Sequence, residues 1–236
     1  MKKGTLYLIP VPLAPEGMKT TATVATTVLA QIRYFIVENI RTARRYLRAF
    51  DNTFPIDECT FVEMDKHAGY TFDERFLQHA SEGNDIGVMS EAGCPAVADP
   101  GHQAVSAAHK RGIPVKPLPG PNAMLMALMA SGFPGQTFSF HGYMPMDVAE
   151  KRSLIIQMER EAQKGHTHIF MDTPFRNEKL FQDLLTWLKP DTELSIASNL
   201  TASNEQIHTR PIKEWKKIKP NLKKVPAVFL IGNSEF

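Results

Sequence analysis

Short apolar, β-branched runs recur along the chain, separated by stretches long enough for helices. TLYLIPV opens the series and YFIVE (34–38), CTFVEM (59–64), DIGVM (85–89) and IPVKPL (113–118) follow. TFSFHGY (137–143), THIFMD (167–172), ELSIAS (193–198) and PAVFLIG (226–232) continue it to the end. Between most of them, residues 41–50, 73–82, 102–111, 122–131, 147–163 and 175–188 carry helical spacing. Strand–helix alternation this regular predicts an α/β architecture with largely parallel sheets. TTATVATTVLAQI (20–32) is ambiguous, because its threonines and valines disfavour a helix while its place between two strands favours one.

A break falls at PVKPLPGP, where four prolines occupy Pro114 to Pro121. So restricted a stretch predicts a semi-rigid joint between an N-terminal α/β domain, residues 1–116, and a C-terminal α/β domain, residues 117–236. At 236 residues and 43% hydrophobic content the chain can build a sizeable core, and a net charge of +2 announces neither nucleic acid nor membrane by itself. Cys59 and Cys94 are the only cysteines, which points to free thiols in a reducing compartment. The N-terminal MKKGTLYLIPVPLAP starts like a secretory signal, but prolines cut its apolar run short. With no apolar run of membrane-spanning length either, the expected location is the cytoplasm, with no membrane partner. KEWKKIKPNLKK, near the C-terminus, reads as a solvated lysine surface.

Candidate chemistry gathers in three loops. MSEAGCPAVADPGH, Met89 to His102, spends two glycines, two prolines and three alanines after an apolar strand and before a helix. In an open α/β sheet that is where ligands bind, and small residues let a ligand reach the main chain. A tight structural turn capped by Asp99 explains the same composition equally well. PVPLAPEG (10–17) ends the first strand in a similar way, and PLPGPNAMLMALMASGFPG (117–135) is a Pro/Gly turn leading into a methionine-rich helix. Met124, Met126 and Met129 fit core filling better than ligand contact. G-x-G-x-x-G and Walker spacings are absent, as are a G-x-S-x-G elbow, an H-E-x-x-H motif and a His/Cys cluster, so no metal is expected.

Together these stretches resemble the tetrapyrrole methylase superfamily, the class III S-adenosylmethionine-dependent methyltransferases. The nearest branch is the one that 2′-O-methylates a cytidine of 16S ribosomal RNA. The opening G-T-L-Y-L-V-x-T-P-I-G-N of that branch is matched by GTLYLIPVPLA, Gly4 to Ala14. Its V-S-D-A-G-T-P-x-x-S-D-P-G is matched at Ser90, Ala92, Gly93, Pro95, Asp99, Pro100 and Gly101. Its P-G-P-S-A appears as PGPNA (Pro119 to Ala123) and its E-S-P-x-R as DTPFR (Asp172 to Arg176). The resemblance implies two α/β/α domains with a cofactor cleft between them, a homodimer, and S-adenosylmethionine as cofactor. By position it assigns the cofactor to Pro12, Leu13, Glu91, Ala92, Gly93, Cys94, Pro95, Pro119, Gly120, Pro121 and Asn122. From the second domain it adds Thr173, Pro174 and Leu200.

The methyl on a sulfonium is already reactive, so the protein must align an acceptor, exclude water and take a proton. Candidates for the base, or for holding the acceptor, are Glu38, Asp99 and His141, each of which has a structural explanation as well; a strand histidine, for one, is often a core residue. Arg41, Arg44, Arg45 and Arg48 share a helix face at spacing suited to a phosphate backbone, or to solvent and local acids. Departures from the family pattern are ENIR (38–41) for E-D-T-R, PLAP (12–15) for P-I-G-N, His67-Ala68 for H-N, NLTA (199–202) for E-L-T-K, and Glu91 and Cys94 for its Asp and Thr. The resemblance and the arginine face imply methylation of small-subunit ribosomal RNA, while the departures leave room for a different acceptor. A methylase of a tetrapyrrole-like or other small acceptor, and a non-catalytic nucleotide- or partner-binding module on the same fold, stand as alternatives.

Overall fold

The structure, a computed structural model, describes residues 2–20, 27–65 and 68–236. Residues 21–26 of the ambiguous 20–32 segment, and His67, lie outside the described residues. The chain divides into two compact units, Met1–Asn122 and Ala123–Phe236. Leu118 stays with the first because its N–H donates to the Leu8 carbonyl at 3.0 Å, and Pro121 because its carbonyl accepts from the Cys94 thiol at 3.4 Å.

In the first unit, β1 (Leu6–Leu8), β2 (Tyr34–Val37), β3 (Thr60–Glu63), β4 (Ile86–Met89) and β5 (Val115–Pro117) form one sheet in the order β3-β2-β4-β1-β5. Every pairing in it is parallel, with Ile86 facing Leu6 on one side and Tyr34 on the other. All four residues of β4 are buried, as a strand covered on both faces requires, and this is why it reads as a continuous apolar run. The helix Ile40–Phe50 turns Ala43, Tyr46 and Leu47 inward, and the side chain of Asn39 caps it by accepting from the Thr42 N–H at 3.0 Å. The helix expected over 73–82 is instead a 3-10 turn, Glu74–Leu77, running into a single α turn, Gln78–Ser81.

The second unit corrects the expectation of largely parallel sheets. Its strands β6 (Phe138–Tyr143), β7 (Thr167–Met171), β8 (Glu193–Ser198), β9 (Gln206–Pro211) and β10 (Ala227–Gly232) lie in the order β6-β7-β10-β8-β9. Only β6 and β7 pair in parallel; β10 runs antiparallel to both β7 and β8, and β8 to β9. The physical reason is connection length, since residues 199–205 are too few to cross back over a sheet and can only turn a hairpin. The helices Val148–Ala162 and Asn177–Trp187 pack on this sheet. Between them lies an ion pair, Lys151 Nζ to Asp183 Oδ2 at 2.7 Å, with both side chains under 10% exposed. Trp215 is fully buried and its indole N–H donates to the Leu194 carbonyl at 2.8 Å. The methionine helix Ala123–Ser131 buries Ala127, Leu128 and Ser131, whereas Met129 is 85% exposed and fills no core.

Candidate active site

Five parallel strands end on one edge of the first sheet, so the loops after β1, β2, β4 and β5 converge there. The β4 loop is stitched to the β1 loop by two main-chain hydrogen bonds between Val11 and Gly93, each 2.8 Å. Gly93 sits at φ 72°, and a Cβ added there would lie 3.3 Å from Leu13 Cδ2. Past it, Ala96 and Ala98 hold φ of 66° and 60°, left-handed conformations that cost a non-glycine residue about 1–2 kcal/mol each. The loop is kept in that shape by the Ala96 N–H donating to Pro100 O at 3.0 Å and Val97 N–H to Cys94 O at 3.3 Å. Strain held this firmly is a mark of a functional site rather than of a mere connection.

The β5 loop closes the other side. Gly120 leaves no room for a side chain, because a Cβ there would fall 2.1 Å from Pro10 Cβ. Burial pushes the Cys94 thiol up in pKa, while a hydrogen bond with Asn122 acts in the opposite direction. Pro12, Leu13, Gly93, Cys94, Pro121 and Asn122 are thus gathered by direct contacts or by the main-chain stitching. Among the described residues the main-chain N–H groups of Ala92 and Cys94 make no hydrogen bond. The wall they belong to is half-buried and offers donors to a ligand.

Three carboxylates meet at the β2 side. Glu38 is buried; its N–H donates to Met89 O at 3.3 Å, and its carboxylate accepts from the Glu91 N–H at 3.3 Å. Thr42 Oγ1 lies 3.4 Å from the Glu91 carboxylate. Burial, with Glu38 and Glu91 close by, raises the Asp99 carboxyl to about 6 against the pull of a hydrogen bond from Ser90. Asn39, which stands where the family has a carboxylate, is spent on capping the helix that follows. Sequence reasoning did not single out Ser90 and Thr42 as site residues; Ser90 adjoins Glu91 in the sequence, whereas only the fold brings Thr42 to Glu91.

The remaining candidates sit elsewhere. His141 lies within β6, its Nε2 2.9 Å from Nδ1 of His168, which in turn lies 3.4 Å from the Glu161 carboxylate. Desolvation, with His141 and His166 nearby, lowers His168 to about 4, and desolvation also lowers His141. Thr173 and Pro174 follow β7, where Asp172 is held by Arg176 and accepts from the Thr173 N–H at 2.7 Å. Leu200 is buried beyond β8 between Asn199 and Thr201, at φ of 51° and 69°. Arg41, Arg44, Arg45 and Arg48 are all exposed on the helix Ile40–Phe50. Arg44 approaches Asp57 at 3.5 Å and Arg48 donates to Asn52 O at 2.9 Å, while Arg41 and Arg45 have no side-chain partner among the described residues.

Comparison with known proteins gives matches of three kinds. The family model for tetrapyrrole (corrin/porphyrin) methylases matches residues 25–216. A protein of Vibrio cholerae named ribosomal RNA small subunit methyltransferase I is 32% identical over 229 residues, covering 96% of this chain and 76% of its own length. One of the same name from Halalkalibacterium halodurans is 32% identical over 212 residues, covering 90% of this chain and 70% of its own. Among solved structures, the methyltransferase CobJ superposes with a TM-score of 0.62 at 19% identity, over 99% of this chain and 95% of that one. At that identity the likeness is one of fold.

Proposed function

The chain belongs to the tetrapyrrole (corrin/porphyrin) methylase family, and from that membership we propose that it is an S-adenosylmethionine-dependent methyltransferase of small-subunit ribosomal RNA, acting on a ribose 2′-hydroxyl. The observation that carries the proposal is the β4 loop, strained, stitched to Val11, and presenting the unpartnered N–H groups of Ala92 and Cys94 at the carboxyl edge of a parallel sheet. In support of the RNA acceptor stand the relatives' names and the exposed arginines of the helix Ile40–Phe50.

These residues fit the cofactor. Pro12 and Leu13, Glu91 to Pro95, and Pro119 to Asn122 supply small apolar surface and main-chain donors, which suit a nucleoside joined to an amino acid. When bound, S-adenosylmethionine supplies a methyl group on a positively charged sulfur. Glu91 is held by the Glu38 carboxylate, which fixes the loop before a ligand arrives. Asp99 is the proposed base. With a pKa near 6 it is charged at neutral pH, yet basic enough to take the proton that a ribose hydroxyl releases. Burial, with Glu38 close by, keeps that pKa raised.

We propose in addition a cytoplasmic homodimer. The free thiols Cys59 and Cys94 favour a reducing compartment, and sedimentation should return a particle of two chains. Function is tested by incubating the protein with labelled S-adenosylmethionine and small ribosomal subunits. Label in 2′-O-methylated nucleotides is the expected result, and replacing Arg44 and Arg45 with alanine should reduce it strongly. Transfer only to a porphyrinoid or other small acceptor, unaffected by those substitutions, would replace RNA with that acceptor.

A further inference from the structure

We propose that the second unit grips single-stranded RNA by a lysine track that ends on an exposed aromatic platform, Phe175; this deepens the RNA-methyltransferase reading above and rests on it. β6 and β7 are the one parallel pair of their sheet, so Tyr143 and Met171 stand side by side at their carboxyl ends, past a register shift after Phe140. From there the chain turns through Asp172–Arg176. The buried Asp172 carboxylate grips the Arg176 guanidinium, which also donates to Met144 O at 3.3 Å and touches Met146. A turn locked in this way holds Phe175 outward, 78% exposed; Met146, which Arg176 touches, is 78% exposed, and Tyr143, at the end of β6, is 56% exposed. An isolated exposed apolar residue is ordinary, but three on one rigid edge form a patch, which marks a binding surface.

The C-terminal segment is tied to this same turn. The Lys224 N–H donates to Pro174 O at 3.1 Å, and the Lys224 ammonium stands 5.7 Å from the centre of the Phe175 ring. Lys224 adopts φ 58° to reach it, a conformation disfavoured for lysine. Back along the chain, Lys223, Lys219, Lys217 and Lys216 are exposed, and none forms an ion pair among the described residues. Lys213 is the exception, bound to Asp191 at 2.8 Å, and Glu214 is the sole acid of the KEWKKIKPNLKK stretch. Unpaired ammonium groups running up to an open aromatic ring match alternating phosphates and bases, the two parts of a single strand of RNA. The stretch that reads as solvated surface in the sequence thus acquires a ligand class.

Fluorescence anisotropy with a labelled, unstructured oligoribonucleotide tests this on the full chain, alongside methylation of small ribosomal subunits. Loss of one stacked base should weaken binding of Phe175→Ala about 5- to 150-fold, while Phe175→Trp binds like the native protein. Lys223→Gln with Lys224→Gln should flatten the dependence of log Kd on log salt by about 1.4. The ring is exposed, so these variants should melt like the native protein. If the native protein methylates ribosomal RNA and Phe175→Ala binds the oligonucleotide equally well, the platform is wrong and the function stands. If Phe175→Ala instead alters the sedimenting mass with RNA binding unchanged, the face is a contact between chains and the inference is overturned. A native protein that neither binds nor methylates RNA removes both.

Discussion

The two units begin from the same strand–helix alternation and use their sheets in opposite ways. In the first, five parallel strands deliver every carboxyl end to one edge, so four loops can meet and a pocket of small residues and carboxylates can be assembled from distant stretches of sequence. In the second, β10 runs against both β7 and β8, so β6, β7 and β8 finish on one edge and β9 and β10 on the other. After β7 that edge carries a rigid turn with an exposed ring. The polar groups differ to match. The first unit crowds acids, Glu38, Glu91 and Asp99; the second crowds imidazoles, His141, His166 and His168.

The largest effect is expected in the second unit. Asp183→Ala would leave Lys151 buried without the carboxylate that now sits 2.7 Å away, at a cost of about 3–5 kcal/mol by denaturant unfolding. A cost under 1 kcal/mol would show that the Lys151 ammonium reaches water at little expense. Next comes Gly120→Ala in the first unit, where the new Cβ would fall 2.1 Å from Pro10 Cβ. A loss of about 3 kcal/mol is expected. Hydrogen exchange should show it as faster opening of residues 4–14 and 85–122, with the second unit protected as before. Uniform opening of both units would contradict their separate cores.

A smaller and sharper contrast lies in pH. Asp99 has a folded pKa above its ordinary 3.8, so the protonated form favours the fold. That contribution is complete below 3.8 and is lost as pH rises through about 6. His168 has a folded pKa below its ordinary 6.5, so the neutral ring favours the fold. Its contribution is complete above 6.5 and is lost as pH falls through about 4. Between pH 4 and 6.5, Asp99→Asn should therefore remove a loss of stability on going up, and His168→Gln a loss on going down. Both substitutions leaving the stability profile unchanged would mean that neither cluster is desolvated in solution. For the methyl transfer itself, the acid limb of the rate profile should lie near pH 6 and disappear with Asp99→Asn.

Much of this was legible in the sequence, unevenly. Nine of the strands announced themselves because apolar runs bounded by glycine, proline and charge have few other uses. β9 did not: QIHTRP lies at the sheet's edge, half-exposed, and its polar residues hide the pattern. Strand direction in the second unit was recoverable only from the short 199–205 connection, a weak cue beside the general alternation. The site loops stood out by composition. The coupling of Glu38 to Asp99 did not, since 61 positions separate them and only the parallel sheet brings β2 beside β4. Nor did the exposure of Phe175, because an aromatic between strand and helix reads as core until the Asp172–Arg176 pair is seen to fix the turn.

The central claim is that the stitched β4 loop is a wall of the S-adenosylmethionine site, and calorimetric titration tests it most directly. The native protein should bind S-adenosylmethionine and S-adenosylhomocysteine saturably with one site per chain. Gly93→Val, whose branched side chain must fit beside Leu13 at φ 72°, should lose that binding while the second unit stays folded. Absence of binding to the native protein would mean a family fold without its chemistry, and undiminished binding by the variant would move the cofactor away from this loop.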